Sequence, residues 1–129
     1  MKQALLTPLA PAPIGAYSQA VRAGNAVYIS GQIGLNLETG ELFCGTKAQL
    51  IRIFTSLEEI IKISGGTLDD VVKLSVFLTD LADFQLVNQH IEEIFQAPYP
   101  ARSVVEVKAL PRGASVEIEA ILDLSKNPR

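Results

Sequence analysis

The clearest periodic pattern along the chain predicts a helix from Thr46 to Ser64. Its apolar side chains recur at steps of four, three and four residues, which places them on one face of an α-helix. These residues are Leu50, Phe54, Leu57 and Ile61. Thr46 and Gln49 have the spacing of a capping box, in which each side chain satisfies a free backbone N–H at the helix start. Gly65 and Gly66 follow and favour a left-handed stop.

A second helix is predicted over about residues 81–95. Asp80 precedes it and is a suitable N-cap, because its carboxylate can accept a hydrogen bond from a free backbone N–H. The residues expected to face the core are Phe84, Val87, Ile91 and either Ile94 or Phe95. Between the two helices, residues 71–79 form an apolar run typical of a strand buried on both faces. The side chains expected to share one side of that strand are Val72, Leu74, Val76 and Leu78.

The first third of the chain has the pattern of antiparallel strands. Three prolines make residues 7–14 extended, because each fixes its own φ and disfavours helix at the preceding residue. The extended lead-in as a whole is expected over residues 1–14. Strands are expected at 17–22 and 26–33, joined by a Gly24-Asn25 turn, and a further turn leads into a short strand at 42–44.

Two last strands, 103–109 and 115–124, complete the order βββαβαββ. This order predicts one α+β domain over residues 1–129, with a six-stranded mixed sheet and two helices on one of its faces. The residues expected on the uncovered face of the final strand are Ser115, Glu117, Glu119, Ile121 and Asp123. Their polarity is ordinary if water lies there and costly if a partner covers them unpaired, so both possibilities stay open.

Composition narrows the class of protein. A chain of 129 residues, 48% hydrophobic and 19% charged, fits one globular domain. The net charge of -3 and a pI near 5.1 provide no cationic field for phosphates, so no nucleic-acid partner is expected. We expect no membrane association, because no apolar run is long enough to span a bilayer and the proline-rich N-terminus is a poor signal peptide. Cys44, the lone cysteine, fits a reducing compartment and predicts a cytoplasmic location.

The segment PARSVVEV, from Pro100 to Val107, contains the strongest candidate for ligand binding. Arg102 lies at the mouth of the predicted strand, with no charged residue beside it. A guanidinium stays protonated at any accessible pH and can make two parallel hydrogen bonds to a carboxylate. The sequence therefore predicts a site for a small anionic metabolite.

This segment, together with LPRGASVEIEA at residues 110–120, GAYSQA at 15–20 and YISGQIG at 28–34, resembles the reactive intermediate deaminase family, also called the Rid or YjgF type. The match runs from about residue 14 to residue 121. The resemblance implies a chorismate-mutase-like fold and a homotrimer with clefts between subunits. It also implies hydrolysis of 2-iminopropanoate and 2-iminobutanoate, derived from enamines such as 2-aminoacrylate, to a 2-keto acid and ammonia without a cofactor.

The same resemblance implies roles for individual residues. Arg102 would anchor the substrate carboxylate, and Glu117 would position water and act as general base. The residues expected to line the substrate site are Tyr17, Ser30, Gly31, Asn88, Ser103 and Val104, the last two through their backbone groups. No metal is expected, because His90 is a lone histidine on a helix face that looks exposed.

A simple hairpin would keep Arg102 and Glu117 apart. Pairing about the turn at 111–112 would put Glu117 opposite residue 107, which is roughly 17 Å along the strand from Arg102. Either the last two strands are not direct neighbours, or the site uses a second chain.

Several residues also have plainer interpretations. Tyr17 can serve packing alone, Ser30 can satisfy backbone, Gly31 can mark a bulge, and Cys44 can be a small buried hydrophobe. The alternative function is a module that binds small keto or amino acids without turnover. A ribonuclease is a weaker alternative, because the chain has neither a basic surface nor a histidine pair.

Overall fold

Six strands form one mixed sheet, and both α-helices pack against the same face of it around a single core. The computed structural model describes residues 1–126. The strands are β1 (Gln3–Leu5), β2 (Ala20–Ala23), β3 (Ala26–Gln32), β4 (Val71–Leu78), β5 (Ala101–Glu106) and β6 (Val116–Asp123). The helices are α1 (Thr46–Ile63) and α2 (Phe84–Ile94), with short 3₁₀ turns at Leu68–Asp70, Leu81–Asp83 and Pro111–Gly113. The predicted fold class is confirmed.

The order of strands across the sheet is β1-β2-β3-β6-β4-β5. Strands β4 and β5 are parallel, and the other neighbours are antiparallel. Strand β4 therefore lies between β5 and β6, so the last two strands of the chain are not a hairpin. This confirms the first of the two possibilities stated above, that the last two strands are not direct neighbours.

Helix α1 buries the apolar face that its periodicity predicts, because Leu50, Phe54, Leu57 and Ile61 are all at most 2% exposed. The predicted capping box is wrong. Gly45 is the N-cap and no side chain caps the helix. The Thr46 hydroxyl instead donates to the Asp83 carboxylate at 3.0 Å, and Gln49 Oε1 accepts from the backbone N–H of Ser115 at 3.0 Å. These two polar side chains therefore connect α1 to the starts of α2 and β6.

Two of the predicted strands are wrong in position. Residues 42–44 form no strand, and the contact there is one isolated bridge between Leu35 and Leu42. The sixth strand is β1, inside the segment predicted as an extended lead-in, where three residues are too few to show alternation. The predicted strand 17–22 begins late, at residue 20, because Tyr17 N–H donates to Gly15 O in a turn. The Gly24-Asn25 hairpin turn is confirmed.

Two of the predicted core-facing residues lie at the surface. Val72 is 46% exposed, because the register of β4 against β6 shifts between Val71 and Lys73 and turns the residue between them outward. Phe84 is 39% exposed and lies against the side chain of Arg102. Asp80 caps the 3₁₀ turn that begins the second helical segment, as predicted.

The exposure of Cys44 and of His90 differs from the prediction. Cys44 is exposed instead of buried. His90, expected on an exposed face, is partly buried between the helices, where its ring lies 5.3 Å from that of Phe54 and its Nε2 has no hydrogen-bond partner. Burial lowers the pKa of His90, with an opposing contribution from Glu93 and a further lowering by Lys47.

We expect His90 to weaken the fold in mild acid. Because its pKa in the folded state lies below the unfolded value of about 6.5, the unfolded chain binds the proton more readily, and stability is lost as pH falls below about 6.5. His90→Phe should keep the ring packing and remove this loss. Urea midpoints of both proteins at pH 7.5 and pH 5.5 test it, and an equal drop in both proteins would contradict the assignment.

Candidate active site

A cavity of about 590 Å³ opens on the sheet face that the helices do not cover. Four of the predicted site residues meet there: Tyr17, Ser30, Gly31 and Glu117. The other lining residues are Pro11, Ala12, Ile14, Gln19, Gln32, Ile33, Leu35, Pro111, Arg112 and Glu119. The volume is within the range of small-molecule sites. The structure therefore brings four of the predicted site residues together in one cavity.

Gly31 lets the Glu117 carboxyl group lie directly against the backbone of β3. A Cβ placed on Gly31 would overlap Glu117 Oε2 and would lie 2.8 Å from Glu117 Cδ. The register of β3 against β6 also shifts between Ile29 and Gln32, so Gly31 belongs to an irregularity of the β-bulge type. The plain interpretation of this glycine as part of a bulge is thus confirmed, and the absence of a side chain at Gly31 leaves the space that Glu117 fills.

We expect Gly31→Ala to displace the Glu117 side chain, because the added methyl occupies the space of its carboxyl group. If the protein has the imine hydrolysis that the resemblance implies, its rate should fall at least about tenfold, since a displaced base loses its hydrogen-bond geometry. Gly24→Ala is the matched control, because nothing lies within 4 Å of its added Cβ, although its φ of 62° makes it a strained site in its own right. Wild-type activity in Gly31→Ala would contradict this role.

The pKa of Glu117 is raised, first by burial and second by the neighbouring carboxylate of Glu119. The two glutamates alternate with buried residues on β6 and therefore project from the same face of the sheet. A carboxylate with a raised pKa is a stronger base than an ordinary surface glutamate, which suits it to accept a proton from water. Sequence reasoning placed both glutamates on this face but missed the effect of Glu119.

The N-terminal segment forms one wall of the cavity and is held by Gln19. This side chain is 1% exposed and accepts from Thr7 N–H at 2.8 Å, while its Nε2 donates to Thr7 O and Pro11 O at 3.2 and 3.0 Å. Tyr17 supports the same wall, because its hydroxyl accepts from Ile14 N–H at 3.3 Å. Gln19 lies inside the GAYSQA motif, but nothing in the pattern of the motif distinguishes a buried amide from a surface one.

Ser30 satisfies a backbone group, as its plainer interpretation predicts. Its hydroxyl donates to Ser18 O at 2.6 Å, and its own carbonyl accepts from Gln32 Nε2 at 3.0 Å. Ser30 also lines the cavity. Its hydroxyl oxygen keeps the capacity to accept a hydrogen bond.

Arg102 and Asn88 lie together in a second cavity of about 460 Å³, bordered by Tyr99, Ile91 and Glu92 among others. Arg102 Nη1 donates to Asn88 Oδ1 at 2.9 Å, and Asn88 Nδ2 donates to Glu92 Oε1 at 3.0 Å. The guanidinium also lies 5.2 Å from the centre of the Phe84 ring, within the range of a cation–π contact. These contacts hold the guanidinium in place and leave most of its N–H groups available to an anion.

Strand β5 is an edge strand, so one side of its backbone is unpaired within the described residues. Val107 N–H donates to Leu78 O of β4, and alternation along the strand then turns the backbone groups of Arg102 and Val104 outward and those of Ser103 toward β4. Ser103 and Val104 line neither of the two cavities. The side chain of Val104 packs against the core instead.

Arg102 and Glu117 project from opposite faces of the sheet. Leu74 of β4 pairs with both Arg102 and Ala120, and Leu74 and Ala120 are buried under the helices. Phe77, three residues further along β4, pairs with Glu117. The two side chains therefore start roughly 10 Å apart along the strands and about 10 Å apart across them, and they point away from each other. One chain therefore contains both groups of predicted site residues but keeps them in separate cavities.

Among residues 1–126, no group of three or more His, Cys, Asp or Glu side chains is arranged to hold a metal ion. Across the same residues, no helix combines the length and the apolar character that crossing a bilayer requires.

Comparison with known proteins identifies relatives across nearly the whole chain. The Endoribonuclease L-PSP family matches residues 7–123. A 2-iminobutanoate/2-iminopropanoate deaminase from Dermatophagoides farinae is 47% identical over 122 residues, covering 94% of this chain and 95% of the relative. A deaminase of the same name from Bos taurus is 43% identical, covering 94% of this chain and 89% of the relative.

The fold has close counterparts among solved structures. The crystal structure of RidA from the Antarctic bacterium Psychrobacter sp. PAMC 21119 superimposes with a TM-score of 0.91 at 51% identity, covering 94% of this chain and 98% of that one. The resemblance inferred from the sequence motifs is therefore confirmed, and the chain belongs to the Endoribonuclease L-PSP family that includes the reactive intermediate deaminases.

Proposed function

We propose that this protein is a cofactor-independent imine deaminase that hydrolyses 2-iminopropanoate and 2-iminobutanoate. The observation that carries the proposal is the half-buried Glu117 carboxylate, which has a raised pKa and lies in a cavity with polar lining groups. Two relatives at 43–47% identity carry the name of this activity. The substrates are 2-imino acids, so the site must hold one carboxylate beside an electrophilic carbon.

The reaction needs a carboxylate anchor, a positioned water and a group that accepts the proton of that water. Arg102 supplies the anchor through a charge-assisted bidentate contact. Glu117 accepts a proton as the water oxygen bonds to C2 and the C=N electron pair moves to nitrogen, and it passes that proton to the nitrogen to give a carbinolamine. Glu117 then takes the proton of the C2 hydroxyl as the C=O bond forms. The C–N bond breaks as this proton passes to the nitrogen, which leaves as ammonia. The products are one 2-keto acid and one ammonia for each imine and water consumed.

The site is completed by a second copy of the chain. Arg102 and Glu117 occupy separate cavities on opposite faces of the sheet, so a single copy cannot hold one small substrate between them. The face that carries Glu117 also exposes the apolar side chains of Tyr28 and Val105, 51% and 44% exposed, which favours its burial against another chain. We propose a homotrimer with the site in the cleft between neighbouring subunits.

A coupled assay tests the function. An amino-acid dehydratase converts serine or threonine to the enamine, which tautomerises to the imine, and the decay of the imine is followed with and without this protein. We expect the protein to accelerate the decay. Binding of the 2-keto acid without acceleration would instead support the binding module, and RNA cleavage that Arg102→Ala abolishes would support a ribonuclease.

A further inference from the structure

A second arginine lies in the cavity of Glu117. Arg112 belongs to the 3₁₀ turn that precedes β6, and it lines the cavity beside Pro111. Its guanidinium donates one hydrogen bond, from Nη2 to Gly40 O at 2.7 Å. Arg112 forms no ion pair with any carboxylate of residues 1–126, although Glu117 and Glu119 line the same cavity. The remaining N–H groups of Arg112 are therefore available to a ligand.

The backbone of Arg112 adopts a conformation that its residue type disfavours. Its φ is 61° and its ψ is 18°, in the left-handed region, and it is the one residue other than glycine with positive φ among residues 1–126. This conformation is unfavourable for a residue with a Cβ, and glycine or asparagine would adopt it more readily. Strain of this kind is concentrated at ligand sites, where surrounding structure maintains it.

The charges of the cavity follow a definite order along the chain. Arg112 lies in the turn before β6, Glu117 is the second residue of β6, and Glu119 lies about 7 Å further along the strand, away from the turn. A ligand whose reacting carbon lies at Glu117 therefore meets positive charge on one side and negative charge on the other. An anionic group at the far end of the ligand is stabilised on the Arg112 side and repelled on the Glu119 side.

We propose that Arg112 binds a second carboxylate, so that the site accepts dicarboxylic 2-imino acids such as 2-iminosuccinate and 2-iminoglutarate. This inference rests on the proposed function and extends its substrate class. Arg102 of one copy holds the carboxylate next to C2, Glu117 activates water at C2, and Arg112 holds the carboxylate at the other end. A planar guanidinium suits this task, because it can form two parallel hydrogen bonds to a carboxylate.

The test compares two imines of equal carbon-chain length, 2-iminoglutarate and 2-iminopentanoate, generated in the cuvette by amino-acid oxidases from glutamate and norvaline. The measured quantity is the ratio of kcat/KM for the first imine to that for the second. We expect Arg112→Gln to lower this ratio about 10- to 100-fold, mainly through KM for 2-iminoglutarate, which corresponds to a lost charge-assisted hydrogen-bond pair. Arg112→Lys should give an intermediate ratio, because lysine retains the charge without the fork.

Lys108→Gln is the matched control. It removes one positive charge from an exposed residue that lines neither cavity, so it measures the effect of net charge alone. The proposal is overturned if Arg112→Gln leaves the ratio unchanged, or if Lys108→Gln lowers it equally. Loss of both imines to the same extent in Arg112→Gln also overturns it, because Arg112 would then act on every substrate.

A binding measurement separates this inference from the proposed function. If the wild-type protein accelerates no imine, the deaminase proposal fails, and calorimetry with 2-oxoglutarate and 2-oxopentanoate decides the role of Arg112. Weaker binding of 2-oxoglutarate alone in Arg112→Gln would support the second carboxylate site. Equal binding of 2-oxoglutarate by wild type and variant would overturn it.

Discussion

We expect Glu117→Gln to lower kcat/KM for the hydrolysis of 2-iminopropanoate by about 10²- to 10⁴-fold, the usual contribution of a positioned general base. The amide keeps the size and hydrogen-bonding capacity of the side chain but accepts no proton. Binding of the 2-keto acid product, measured by calorimetry, should persist, because the anchor is Arg102. Hydrolysis at the wild-type rate by Glu117→Gln would show that another group activates the water.

Glu119→Gln is the matched control for this change, because it removes the same charge two residues along the same strand. Since Glu119 raises the pKa of Glu117, its neutralisation should lower that pKa. Glu117 must be ionised to act as a base, so the acid limb of the rate profile should move to lower pH. An unchanged limb would mean that Glu119 does not influence the base.

The same Glu117→Gln change should stabilise the protein at neutral pH. The raised pKa means that the folded chain favours the protonated acid, so stability is present below the unfolded pKa and is lost as pH rises through the folded value. Glutamine does not ionise, so the variant keeps its stability as the pH rises. A higher melting temperature for Glu117→Gln at pH 7 that disappears near pH 4 would support the assignment, and a lower one at pH 7 would contradict it.

The second large effect is expected for Arg102→Ala, which should lower both keto-acid affinity and imine hydrolysis by about 10²-fold or more. Truncating one partner of a buried, hydrogen-bonded charge pair typically costs 2–5 kcal/mol. Arg102→Lys should recover part of the loss as a point charge. Lys62→Ala on the exposed surface of α1 is the control for charge removal. Equal hydrolysis by wild type and Arg102→Ala would reject the enzyme.

The comparison of these two variants separates the enzyme from the binding module. In an enzyme, Glu117→Gln loses turnover and retains binding, whereas Arg102→Ala loses both. In a binding module, Arg102→Ala alone has an effect, because no water is activated.

Local patterns predicted the main elements because each depends on a short stretch of sequence. The face of α1 and the Gly24-Asn25 turn follow from periodicity and turn chemistry, and both are confirmed. The capping box failed because tertiary contacts competed for the same side chains. The local sequence places Gln49 where it could cap the helix. In the fold its Oε1 accepts from the backbone N–H of Ser115, which lies 66 residues away in sequence.

The burial and orientation of residues that depend on long-range contacts could not be predicted from the sequence. The outward turn of Val72 results from a register shift between β4 and β6, and periodicity within β4 does not reveal it. The burial of His90 depends on the packing of α2 against Phe54 of α1. Motifs identified Arg102 and Glu117, but their placement on opposite faces follows from the position of β4 between β5 and β6.

Mixing two inactive variants tests most directly whether Arg102 and Glu117 act together across two copies of the chain. Arg102→Ala and Glu117→Gln are each expected to be inactive alone, and the two are unfolded together and refolded at equal concentration. In a ring of identical clefts, about one cleft in four then combines an intact Arg102 with an intact Glu117. We predict recovery of roughly a quarter of wild-type imine hydrolysis, and activity that stays at the level of the separate variants would contradict a site shared between two copies.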